Sequence, residues 1–92
     1  MNKDIHERLL ARGFLPGAYV RHFKHKGSMD GLNRIKCLAE HTETGEVFVI
    51  YHKIMDDSHI YARPGDMFLS KVDREKYPDA EQEYRFEVYK NE

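Results

Sequence analysis

The stretch Leu-Ala-Glu-His-Thr-Glu-Thr-Gly-Glu-Val-Phe-Val-Ile-Tyr-His, residues 38–52, constrains the fold more than any other part of this chain. Two alternating registers flank Glu43-Thr44-Gly45, which reads as a β-hairpin with glycine at the position that needs a positive φ. Its second strand is apolar on both faces, and a strand covered on both sides calls for a closed or layered β structure around it. With a three-residue loop at 43–45, Thr42 pairs with Glu46 and His41 lies opposite Val47. That register groups Ile35, Cys37, Ala39 and His41 with Val47, Val49 and Tyr51, and leaves Leu38, Phe48, Ile50 and His52 on the other face.

The remaining segments add short elements. Ile5, Leu9 and Leu10 have helical spacing within residues 3–12. Asp4 can cap the start, Glu7 follows three residues on, and Gly13 suits the left-handed position after the last turn. Residues 18–25 alternate as a strand, with Tyr19, Arg21 and Phe23 on one face and Val20, His22 and Lys24 on the other. A loop through Gly27–Gly31 leads to a strand at 33–41. Asp56-Asp57-Ser58 turns the chain into a strand at 59–63. Arg63 is held extended by Pro64, which suits the first position of a helical turn in which Met67 and Phe68 point inward. Residues 72–83 are mostly charged and read as solvated, and a last strand covers 84–89. The fold class is therefore mainly β with a short N-terminal helix: a five-stranded SH3-like barrel or a strongly bent antiparallel sheet. Residues 1–15 form a helical extension and 16–92 one small domain.

At 92 residues, roughly 60–65% of the unfolded surface can be buried, so the core is modest. Fifteen Lys and Arg against sixteen Asp and Glu give a formal charge of −1. An electrostatically driven, sequence-independent nucleic-acid binder would be clearly basic. The one cysteine agrees with a reducing compartment, and neither a signal-like segment nor a membrane-length apolar run is present. A cytoplasmic location is expected.

The order of several short motifs carries a family likeness. Tyr19-Val-Arg-His-Phe-Lys, Ala39-Glu-His-Thr-Glu-Thr-Gly-Glu, Val49-Ile-Tyr, Ala62-Arg-Pro-Gly-Asp-Met-Phe and the closing Gln82-Glu-Tyr-Arg-Phe-Glu resemble the bacterial domain-of-unknown-function 1653 family over residues 18–88. The resemblance implies a compact β domain and carries no activity with it. It places Arg21, His22, Phe23, His41, Thr42, Glu43, Tyr51, Arg63, Pro64, Met67 and Phe68 at motif positions. The chain differs from the pattern in the Gly27–Asn33 insert and in the residues His52 to Asp57.

Six histidines invite a metal reading, yet their spacing matches no ligand motif. His22 and His25 point to opposite sides of a strand, as do His41 and His52 in the register above. Cys37 reads as a small core residue beside Ile35 and Ala39. The serines have no nucleophile-elbow surroundings, and an acid–base pair at the hairpin loop would be exposed. Thr42 and Glu43 suit loop shaping. Arg21 and Arg63, converging near Tyr51 and His41, would suit a phosphate or carboxylate with an aromatic plane beside it.

The favoured function is thus a non-catalytic binding module without a cofactor, its groove lined by Arg21, His22, His41, Tyr51 and Arg63. Its ligand would be small and anionic or nucleotide-like, or a single-stranded nucleic acid held by stacking. The alternative is a protein-interaction domain of SH3-like type, using Tyr61, Tyr84 or Tyr89 and an exposed strand edge. An enzyme with a histidine acid–base comes last.

Overall fold

The computed structural model describes residues 2–24 and 31–89. Helix α1 (Asn2–Ala11) is followed by strands β1 (Tyr19–His22), β2 (Leu32–Glu40), β3 (Val47–Lys53) and β4 (Asp56–Pro64), the short helix α2 (Gly65–Phe68), and strand β5 (Phe86–Val88). All strand pairs are antiparallel, in the order β4-β3-β2-β1-β5. The fold is mainly β with a short N-terminal helix, as the sequence implies, but the sheet does not close into a barrel. It is bent instead. Strands β4 and β5 are the two edges, four strand spacings or roughly 19 Å apart in a flat sheet. The Arg63 guanidinium of β4 nevertheless lies 5.4 Å from the centre of the Phe86 ring in β5. Among the described residues no helix is long and apolar enough to cross a membrane.

The concave face holds the core: Leu9, Phe14, Val20, Ile35, Val47, Val49, Tyr51, Phe68, Leu69 and Phe86. The C-terminus of α1 is built by its sequence. Gly13 takes φ +84°, the Phe14 N–H donates to the Leu9 carbonyl and the Gly13 N–H to that of Leu10, both at 3.0 Å. These bonds satisfy orphan helix carbonyls and turn Phe14 inward beside Leu9. At the other end the helix begins at Asn2, so Asp4 lies within the first turn and faces Arg8 at 3.9 Å, an exposed pair of little energetic weight. Gly65 is pressed against this helix. A Cβ there would stand 2.7 Å from Cγ2 of Ile5 and 3.1 Å from the Val47 carbonyl oxygen. Gly65→Ala is therefore expected to destabilise by about 1–3 kcal/mol, because overpacking outweighs any gain in helix propensity. Urea unfolding of Gly65→Ala and of the Ile5→Ala/Gly65→Ala pair checks this. The pair should show a favourable coupling, and strict additivity would contradict the contact.

Several expectations are corrected by one bulge. The β2–β3 register shifts between Ile35 and Cys37, so Ile35 faces Tyr51 while Cys37 faces Ile50. The extra residue, Lys36, reverses the phase of everything after it. Cys37 is consequently exposed rather than in the core, and Leu38 packs against the core instead of Cys37 and Ala39. The hairpin loop is also one residue longer than expected: Glu40 opposes Val47, and the His41 N–H donates to the Glu46 carbonyl at 2.8 Å. Gly45 has the expected positive φ of 75°. On the second face of β3, Phe48 and Ile50 are only partly buried. That strand is fully covered on one side, not two.

The turn expected at 56–58 lies at Ile54-Met55, and Asp56 opens β4. Its register still shifts there, from His52–Ile60 to Lys53–Asp56. The Asp56 carboxylate, accepting both the N–H and the hydroxyl of Ser58, shapes this bulge. Those hydrogen bonds hold the Asp56 carboxyl below the usual carboxylate range. Pro64 (φ −55°, ψ 140°) stands just before α2 rather than inside it. Phe68 is fully buried, but Met67 is 42% exposed, because a single helical turn presents only Gly65, Phe68 and the following Leu69 inward. Residues 27–30 of the expected Gly27–Gly31 loop, and His25, lie outside the described residues.

Candidate functional site

The mouth of the bent sheet is assembled from β1, the end of β4 and the segment 69–85. Directly after β1, the Phe23 N–H donates to the Arg85 carbonyl at 2.9 Å, which fixes Phe23 and Lys24 beside β5. Opposite them the chain folds back on itself. The Arg85 N–H donates to the Ser70 carbonyl, the Val72 N–H to that of Glu83, and Lys71 bridges Tyr84. Asp73 then starts a single turn: its carboxylate accepts the Glu75 N–H at 3.0 Å and its carbonyl the Tyr77 N–H at 2.8 Å. Arg74 closes the loop by donating to the carbonyls of Ala80 and Gln82. Gln82, buried, donates from Nε2 to the carbonyls of Arg21 and Tyr84, both at 3.1 Å. A segment read from composition as solvated is thus tied down as a wall.

Between these walls lies an open cleft of about 270 Å³ lined by His22, Phe23, Lys24, Arg63, Asp73, Lys76, Tyr77 and Arg85. Four permanent cations and a histidine share it with one carboxylate. Among the described residues the ion pairs are Arg8–Asp4 and Lys71–Glu83, so none of Lys24, Arg63, Lys76 and Arg85 is paired with a carboxylate there. Among the described residues, four cations against one carboxylate in one concavity create a positive potential that the near-neutral whole does not reveal.

Its edge is aromatic. Phe23 and Tyr77 meet edge to face with centroids 5.0 Å apart, and the Lys24 ammonium lies 5.0 Å from the Tyr77 ring centre. The hydrogen bond from Lys24 holds the Tyr77 phenol below the usual tyrosine range. In a tyrosinate-absorbance titration, the difference between the native chain and Tyr77→Phe is expected to show this depressed component. Lys24→Gln should move it upward. A Tyr77 component at or above the ordinary range would contradict the contact. Phe23, Lys24, Lys76 and Tyr77 also line a neighbouring hollow of about 410 Å³ that continues over Pro78, Asp79 and Ala80.

Of the residues expected to converge, His22 and Arg63 line the cleft. Tyr51, 7% exposed, lies beneath as part of the core, and its hydroxyl accepts from Arg63 Nε at 3.3 Å. The His22 ring packs edge-on against Phe86 at 4.9 Å. Arg21 is not with them. It alternates to the convex face, where its guanidinium sits 4.6 Å from the centre of the Tyr89 ring. His41 is likewise apart, at the hairpin, where Nδ1 accepts the N–H groups of Glu43 and Thr44 at 3.1 and 3.3 Å. Loop shaping there falls to His41 and to the Thr44 hydroxyl, which accepts the Glu46 N–H, rather than to Thr42 and Glu43. Phe23, Lys24, Asp73, Lys76, Tyr77 and Arg85 were missed as cleft residues. The available signal was an aromatic followed by proline, Tyr77-Pro78, inside a charged run. A further hollow of about 390 Å³ lies between α1 and the hairpin, with Lys3, His6 and Glu40 around Leu38, Ala39 and Val47; its mixed charges select no ligand sign.

A bent, open, five-stranded antiparallel sheet with a helix in its concavity and a cation-rich cleft at its mouth defines a small β class of protein. Within it, the chain belongs to the family described as "Protein of unknown function (DUF1653)", whose model matches residues 18–88, well over half of the sequence. Every residue lining the cleft falls inside that match. No curated protein and no solved structure matches the chain.

Proposed function

We propose that this protein is a non-catalytic binding module for a small anionic ligand, held in the cleft between β1, Arg63 and the 73–85 wall. One observation supports the reading most: Lys24, Arg63, Lys76 and Arg85 gather on one cavity, where Asp73 is the single carboxylate among the described residues. Folding gains nothing from crowding like charges, whereas a bound phosphate or carboxylate accepts from several of them at once. Guanidinium groups also match such oxyanions in a bidentate geometry. Arg63 is pre-set for this, since Tyr51 and the Phe86 ring hold its guanidinium at the rim.

Isothermal titration with inorganic pyrophosphate tests the reading. Loss of one charge-assisted contact costs about 1.5–3 kcal/mol, so Arg85→Ala should weaken binding roughly ten- to hundredfold. Arg63→Ala would be a poorer probe, because it also removes a contact with the core. Pyrophosphate that does not bind, or that binds Arg85→Ala equally well, would remove the proposal. The protein-interaction alternative draws on the outer edge of β4, which among the described residues pairs only with β3. The shift in register at its start and Pro64 at its end leave little uninterrupted ladder for an added strand.

A further inference from the structure

We infer that the ligand is a nucleoside monophosphate, its terminal phosphate among Arg63, Lys76 and Arg85 and its ring system on the Phe23–Tyr77 side; this rests on the anion-binding reading above. The two hollows of about 270 and 410 Å³ adjoin, because Phe23, Lys24, Lys76 and Tyr77 line both. Their chemistry differs across that shared wall. The first carries Arg63, Arg85 and His22. The second has Pro78, Ala80 and Asp79 in their place, with Lys24 and Lys76 still on its wall and the Asp79 carboxylate as an acceptor for a hydroxyl or amino group. An inorganic anion would fill the first and leave the second empty. A ligand that satisfies both has a compact, highly charged end joined to a planar apolar body.

The count of cations points to a monoester end. A phosphate monoester carries about −1.5 to −2 charges at neutral pH and three acceptor oxygens, whereas a backbone diester carries one charge. The hollows are each near the lower bound of small-ligand pockets, about 300 Å³, which suits one nucleotide. Aromatic stacking of a base is worth about 1–3 kcal/mol.

Isothermal titration of the full chain with the four common ribonucleoside 5′-monophosphates, adenosine, inorganic phosphate and an unphosphorylated pentathymidylate is the test. At least one monophosphate should bind about tenfold or more tightly than phosphate, and adenosine more weakly than either. Tyr77→Ala should weaken that monophosphate at least tenfold more than it weakens phosphate. The exposed Lys76→Gln, which does not threaten the fold, should weaken both. Monophosphates no tighter than phosphate, or a Tyr77→Ala loss equal for both, would overturn this inference while the anion reading stands. Pentathymidylate binding as tightly as the monophosphate would overturn it in favour of a chain. Failure of every phosphate to bind would overturn both readings.

Discussion

Phe68→Ala is expected to lower the unfolding free energy by about 3–5 kcal/mol. The ring is fully buried, stacks on Phe86 with centroids 4.0 Å apart and planes 9° from parallel, and meets Phe14 edge-on at 4.9 Å. It lies on a one-turn helix packed against α1, β3 and β4, so no flexible neighbour can collapse into the space it leaves. A protein of this size has roughly 5–15 kcal/mol of stability in total, and the variant should lose much of it. By chemical denaturation, Phe68→Leu should cost about 1–2 kcal/mol. On the proposed anion-binding reading, Phe68→Ala should also bind pyrophosphate less well, since Phe86 supports both Arg63 and His22. A change under 1 kcal/mol would show that the stacked pair is not the centre of the core.

Arg12→Ala is expected to cost about 2–4 kcal/mol. Its guanidinium donates to the Phe86 carbonyl at 3.1 Å and more loosely to that of Leu69 at 3.4 Å. It also lies between the rings of Tyr84 and Phe14, 4.0 and 5.0 Å from their centres. Hydrogen bonds from a charged donor are worth about 1.5–3 kcal/mol, and cation–π contacts about 0.5–2. Removal also leaves a half-buried carbonyl unpaired at the edge strand. Arg12→Lys should recover only part of the loss, because an ammonium cannot match the planar fork. Equal stability of Arg12→Ala and the native chain in urea would contradict the clamp.

Period-two alternation located β3 because Val47, Val49 and Tyr51 repeat without interruption, and Gly13 and Gly45 marked their turns by the backbone they require. The bulge at Lys36 escaped because an inserted residue leaves no mark on composition: Cys37, Leu38 and Ala39 are all acceptable inside. The same slip hid the placement of Cys37. The candidate site was half legible. Arg63 stood out beside a proline, yet the alternation that separates Arg21 from His22 already put them on opposite faces. Lys76, Tyr77 and Arg85 were obscured for a different reason. Their wall is held by Arg74 and Gln82 bonding to backbone carbonyls, and such polar ties resemble solvated sequence until the partners are seen. Arg12 was missed for the same cause, its partners lying 57 and 74 residues away.

The outer rim of β4 has a consequence for how these molecules coexist. A straight row of open N–H and C=O groups would template a neighbouring copy and seed stacking into fibres. Here the Asp56–Ser58 knot deforms one end, Pro64 removes a donor at the other, and Asp57 adds charge. Crowded copies should therefore slide past one another rather than zip together along that edge.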